Sequence, residues 1–308
     1  MRRKPSNAPR DRLDPPVSEE SADSHLGDHE MIPLATLVLG RAIPFDLLTE
    51  IDGSILLYRE RGTEYGREQR RALRESGVTH LLIRRSERER YFIYLAENLH
   101  DLLTGEETTP GDVYDTSVVV AGRVLEEPAS CEARRLARPV IDRAIALSAI
   151  PGEILEAIEG GTEREDTLRA HSMRVCLYGL QLAHGAGIDD PVILSDLGLG
   201  LLLHGVAGPD GRLPDSLGGE APLGPVVEDV IRHHRERLDG SGPRGLAAGQ
   251  LSVSARIAAV ADEFDHRTVG LDRSAVEDTY EALRRMITDA SGAFDPALLA
   301  TFVRHLTL

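Results

Sequence analysis

The sequence predicts an α+β protein in which a small α/β domain is followed by an all-α helical bundle. Three observations predict this order. Short β-prone runs, SILLY at 54–58 and THLLIR at 79–84, fall between Met31 and about Leu103. TGEETTPGD, residues 104–112, reads as a polar linker with Pro and Gly. After Asp112 nearly every segment has helical periodicity.

Taken in order, residues 1–30 are rich in Pro, Ser, Asp, Glu and Arg and poor in large apolar groups, so they cannot offset their ordering entropy and read as a disordered tail. The domain at 31–103 places the helix EYGREQRRALRESG, ended by Gly77, between its two β-prone runs, and RYFIYLAENLHDLL passes from strand to helix. In the bundle at 113–308, ASCEARRLARPVIDRAIALSAI is helical although Pro139 should kink or restart it. PGEILEAIEGG starts at Pro151 and stops at glycines, and TEREDTLRAHSMRVCLYGLQLAHGAG repeats apolar residues at a spacing of about 3.6. DPVILSDLGLGLLLHG is apolar almost all round, as a buried central helix would be, and Gly198 and Gly200 should soften it by roughly 1 kcal/mol each. A Gly- and Pro-rich loop at 205–225 precedes helices at about 226–235, 251–266, 273–288 and 295–306.

Composition bounds the function. No apolar run approaches the roughly 20 residues that cross a bilayer, and the charged start MRRKPSNAPRDRLDPP has no apolar segment behind it, so the expectation is a soluble, cytoplasmic protein without membrane partners. Cys131 and Cys176 form no CxxC pair, which argues against a disulfide framework or a thiolate zinc site. The net charge of −16 repels polyanions, so DNA and RNA are not expected partners. Lys4 is the only lysine, which forbids any mechanism that needs a lysine in the folded body.

Four separate helices offer groups of metal-ligand type: His171, His204, the pair His233 and His234, and Asp262. Helical bundles assemble metal sites in this way, although an isolated histidine on an apolar helix also serves as a hydrogen-bonded core residue. Arg235, Arg237 and Arg244 flank the histidine pair in HHRERLDGSGPRGL and are candidate contacts to a phosphate ligand, or else a solvated face.

AHSMRV, LLLHG, IRHHRERLDGSGPRGL, ARIAAVADEFD and GAFDP, in that order, resemble the HD-GYP domain, a branch of the HD metal-dependent phosphohydrolases known for hydrolysing cyclic di-GMP. The resemblance covers about residues 113–308 and implies an HD-type bundle, with His171, His204, His233, His234 and Asp262 on metal-ligand positions. Several positions depart from the family pattern. The His-Asp dipeptide, whose aspartate bridges two ions, reads His204-Gly205 here, and the lysine expected three residues later is missing, with Arg212 the nearest cation. Thr167 stands where some members carry a glutamate, beside Glu165 and Asp166. Only 28 residues separate His204 from His233, none of them histidine, and the signature tyrosine is missing from Gly242-Pro243.

Two divalent ions about 3.5 to 4 Å apart need a shared anion to offset their repulsion. Without it the expectation is a degenerate, non-catalytic domain that binds a partner in cyclic di-GMP signalling, with one divalent ion (Fe, Mn or Zn) or none. His266, one turn from Asp262, and the loop residues Asp210 and Asp215 are conceivable replacement ligands, or else a helix end and solvated turn residues. Candidate partners are a diguanylate cyclase domain or another signalling protein, a cyclic dinucleotide, and a second copy of the chain. The alternative is a divergent metal-dependent phosphodiesterase with a reduced metal site.

Overall fold

The computed structural model describes residues 26–150, 152–162, 167–208, 210–214, 217, 222–269, 276–288 and 292–306. The chain divides into two compact units, one running to Leu34 and resuming over Leu39–Tyr94, the other comprising Ala35–Val38 and the chain from Leu95 onward.

The first unit holds the strands β1 (His29–Pro33), β2 (Arg41–Ala42), β3 (Leu47–Ile51), β4 (Ser54–Arg59), β5 (Glu64–Tyr65) and β6 (His80–Arg84), with helix α1 (Arg67–Glu75) before the last of them. β1, β6, β3 and β4 form an antiparallel sheet in that order, and β2 pairs with β5. Asp52 and Gly53, both at positive φ, make the tight β3–β4 turn, whose twist matches that of the strands it joins. Leu48, Ile55 and Leu82 form a buried cluster on this sheet. β1 begins at His29, two residues inside the stretch read as a tail, and residues 1–25 lie outside the described residues.

One expectation fails in the next element. RYFIY is not a strand but part of a single helix, α2 (Arg88–Thr104). Tyr91 and Tyr94, one turn apart, set their rings edge-on to Phe45, with centroids 5.7 and 5.6 Å away. Burial at helical spacing overrides the β-preference of the aromatic residues.

α2 begins in the first unit and ends in the second. Residues 104–112 hold its last residue, a turn, and the start of α3 (Pro110–Glu126), where Thr109 and Asp112 form a reciprocal cap ahead of Pro110. α4 (Cys131–Ser148) is continuous through Pro139, which is exposed. Then follow α5 (Glu153–Gly160), α6 (Leu168–Gly185), α7 (Pro191–Leu203), α8 (Pro225–His233), α9 (Val253–Val269), α10 (Thr279–Thr288) and α11 (Pro296–Leu306). α8, α9 and α11 differ from the expected bounds by one to three residues at their ends, where helices fray, whereas α10 starts at Thr279 rather than at 273, and residues 273–275 lie outside the described residues.

α7 is buried along most of its length, but Val192 and Ile193 in its first turn are exposed. Its glycines serve packing rather than softness, which corrects the sequence reading. A Cβ on Gly198 would lie 2.7 Å from Ile141 Cγ2, and one on Gly200 would lie 2.9 Å from Val230 Cβ. Both glycines let α7 approach α4 and α8 closely. Among the described residues, no helix is long and apolar enough to cross a membrane.

Candidate metal centre

Helical spacing assembles the site. α6 presents His171 and Arg174, one turn apart, and α9 presents Asp262, Asp265 and His266 at i, i+3 and i+4. His204 follows the end of α7, and His234 follows the end of α8. His171, His204, His234 and Asp262 are 3%, 2%, 2% and 4% exposed, so these four groups sit in a closed interior.

The polar atoms converge. His171 Nε2 lies 2.9 Å from His204 Nε2 and 3.2 Å from Asp262 Oδ1. His204 Nε2 lies 3.3 Å from the same oxygen, and His266 Nδ1 lies 3.2 Å from it. The His204 and His234 rings meet edge to face, with centroids 5.0 Å apart.

Each of these imidazoles has its Nδ1 committed elsewhere. Nδ1 faces the carbonyl of Leu201 at 2.6 Å in His204, of Ile231 at 3.0 Å in His234, and of Asp262 at 2.9 Å in His266. A carbonyl only accepts, so in each ring Nδ1 carries the proton and Nε2 keeps the lone pair. His171 Nδ1 donates likewise to Asp265 Oδ2 at 2.8 Å, and Asp265 is held by a two-pronged contact from Arg174 at 2.6 and 2.9 Å. Such outer partners are what orient ligating histidines.

Two Nε2 lone pairs at 2.9 Å repel each other unless a proton or a metal cation lies between them. Burial pulls the His171 pKa down, but its contacts with Asp262 and Asp265 raise it overall. Burial likewise pushes both carboxyls up. The His171, His204 and His266 imidazoles within 3.3 Å nevertheless hold Asp262 well below its usual value, and bonds from His171 and Arg174 hold Asp265 low. Burial lowers His234 to about 3, which keeps it neutral. Asp262 Oδ1 and His234 Nε2 are buried without a hydrogen-bond partner. Orphaned acceptors inside a closed imidazole cluster fit a divalent cation, and His171, His204 and Asp262 are the groups that would hold it.

The other candidates lie elsewhere. The sequence offers both members of the histidine pair as ligands, and only one of them points inward. In the structure it is His234, whereas His233 binds Asp229 through Nδ1 at 2.8 Å and meets Arg244 through Nε2 at 3.2 Å. Asp229 also accepts the Ser252 hydroxyl. Arg237 is committed to Glu263 at 2.8 Å and stacks on Phe294, while Arg235 and Arg244 are exposed. Arg212 pairs with Asp210 on an exposed loop. Asp215, Glu165 and Asp166 lie outside the described residues. Thr167 caps α6 by accepting from Ala170 N, a structural use of the position.

Gly205 supplies no carboxylate to the cluster. A Cβ there would lie 2.8 Å from Cδ1 of the exposed Leu168 side chain, an atom free to move aside. Sequence reasoning missed Asp265, Arg174 and Glu236. The first two sit one turn from recognised positions, which was the available signal. Glu236 accepts from Arg244 N at 2.8 Å and Leu246 N at 3.1 Å, and a Cβ on Gly242 would come within 2.7 Å of its Oε2. It therefore pins the DGSGP loop from inside.

Residues 217–298 match the family model described as HD domain. Cyclic di-GMP phosphodiesterase PA4108 of Pseudomonas aeruginosa is 34% identical over 179 residues, a match that covers 50% of this chain and 42% of that protein. The chain thus spans less than half the length of this relative. Bd1817, an HDG"Y"P protein from Bdellovibrio bacteriovorus, superposes with a TM-score of 0.65 at 20% identity, covering 91% of this chain and 100% of that one. At that identity the likeness speaks to fold. The chain has a small N-terminal sheet region followed by a mostly helical, HD-like part, as the sequence predicts.

Proposed function

We propose that this protein acts in cyclic di-GMP signalling as a regulatory HD-type protein that does not hydrolyse the messenger. The observation that carries this reading is Gly205 itself, which brings no carboxylate to the His171, His204 and Asp262 cluster at the place of the bridging aspartate in the His-Asp dipeptide. Two cations without a shared anion repel each other strongly, so a dinuclear hydrolytic centre is not supported. Burial of the cluster supports the same reading, because among the described residues its His171, His204, His234 and Asp262 are only a few per cent exposed, which disfavours contact with a bulky phosphodiester. Loss of the bridge leaves the outer surface intact, so binding outlasts chemistry. The partner in this reading is a diguanylate cyclase domain or a second copy of the chain, with the cyclic dinucleotide as an alternative ligand on exposed Arg235 and Arg244.

Incubation of the purified chain with cyclic di-GMP and Mn²⁺ or Fe²⁺, followed by chromatography, is expected to return the messenger uncleaved. Robust cleavage that disappears in Asp262→Ala would overturn the proposal. That outcome would favour a one-ion phosphodiesterase, the second reading, which draws support from the convergence of His171, His204 and Asp262.

A further inference from the structure

Outside the positions that the HD resemblance assigns, α9 contributes one more group to the cluster. His266 stands one turn beyond Asp262, and its ring meets that of His171 at 4.7 Å and 76°. Ligand atoms of His171, Asp262 and His266 lie within 4.8 Å of one another. His266 Nδ1 donates to the Asp262 carbonyl, which leaves Nε2 as its unprotonated nitrogen, the same arrangement as in His204 and His234. The repeated bond to a backbone carbonyl leaves Nε2 as the donor nitrogen of His204, His234 and His266, in a cluster where Asp262 Oδ1 lacks a hydrogen-bond partner and lies 3.2 Å from His171 Nε2 and 3.3 Å from His204 Nε2.

Charge sets the number of ions. Asp265 is neutralised by Arg174, so Asp262 supplies the only uncompensated negative charge in this buried set. One divalent ion leaves a modest excess of positive charge, while two would leave an excess that a closed, water-poor interior does not tolerate. The donor set sets the kind of ion. Imidazole nitrogen with a single carboxylate favours zinc and similar borderline cations over Mg²⁺, and a site whose four positions are all filled by protein is structural rather than catalytic.

Resting on the non-catalytic reading above, we propose that His266 takes the place of the missing carboxylate, so that His171, His204, Asp262 and His266 hold one Zn²⁺-class ion as a structural site joining α6, α7 and α9. This ion would clamp the helices and activate no water.

The test uses the full chain, stripped with a chelator and titrated calorimetrically with Zn²⁺ and with Mg²⁺. One Zn²⁺ per chain and no Mg²⁺ are expected. His266→Ala and His266→Gln should each weaken Zn²⁺ binding more than about 100-fold, beyond the loss typical of an outer-shell partner. His100→Ala, at an exposed histidine on α2, should not change it. Co²⁺ substitution supplies a readout independent of affinity: the visible band should be intense, as for four-coordinate cobalt, and should weaken in His266→Gln. Unchanged affinity and an unchanged cobalt spectrum in both His266 variants, with circular dichroism intact, would overturn the proposal. A chain that binds no Zn²⁺ would also overturn it, yet would leave the non-catalytic reading standing. Two ions per chain together with cleavage of cyclic di-GMP would overturn both.

Discussion

Asp265 shows how one residue carries both stability and site geometry. It is fully buried, holds the His171 ring through Nδ1, and neutralises the equally buried Arg174. Arg174 in turn reaches the Tyr114 hydroxyl at 3.5 Å, and burial pushes that phenol up to about 12. Asp265→Ala strands a guanidinium in the interior, and a loss of about 3–5 kcal/mol is expected in urea unfolding. A loss under about 1 kcal/mol would show that water reaches Arg174. The pH dependence follows from the sign of the shift. Because the folded carboxyl sits below its unfolded value, its contribution is complete above the ordinary carboxylate range and is lost as pH falls through the lowered value. The stability difference between wild type and Asp265→Ala should therefore narrow on acidification.

At the scale of elements, α7 is placed by what its glycines lack. A Leu-rich helix can be buried in many registers, but α7 meets α4 and α8 where Gly198 and Gly200 remove the side chain. His204 reaches the cluster because α7 sits this deep. Gly198→Ala improves intrinsic helix propensity by roughly 1 kcal/mol, yet forces a methyl against Ile141. Overpacking costs about 1–3 kcal/mol and should win, so the variant is expected to melt at a lower temperature. A higher melting temperature would mean that Ile141 yields without strain.

On the scale of the whole molecule, charge is unevenly shared. Residues 95–308 carry 19 basic and 35 acidic side chains, so this stretch holds the entire net charge of −16. A surface of this sign repels phosphate backbones, and the arginines are largely committed to carboxylates, as in the chain of pairs through Arg237, Glu263, Arg267 and Glu277. In electrophoretic mobility assays at about 0.15 M salt, no shift of duplex DNA or single-stranded RNA is expected, because no released counterions drive association. A shift at sub-micromolar protein would refute this.

The order of a small sheet and a helical bundle was legible in the sequence because it rests on local signals: periodicity, caps, and the Pro and Gly punctuation around each element. The ligand-type residues His171, His204, His234 and Asp262 were legible for a related reason, since each stands at a fixed place in a local motif. Aromatic packing against Phe45 made RYFIY a helix, and close approach of α7 gave Gly198 its use; both depend on residues far away in sequence. The inward choice of His234 over His233 and the Asp265–Arg174 anchor were likewise decided only when the helices packed. Local spacing tells which side chains share a helix face, whereas hydrogen-bond partners and vacated volume are set between helices, where tertiary contact does the choosing.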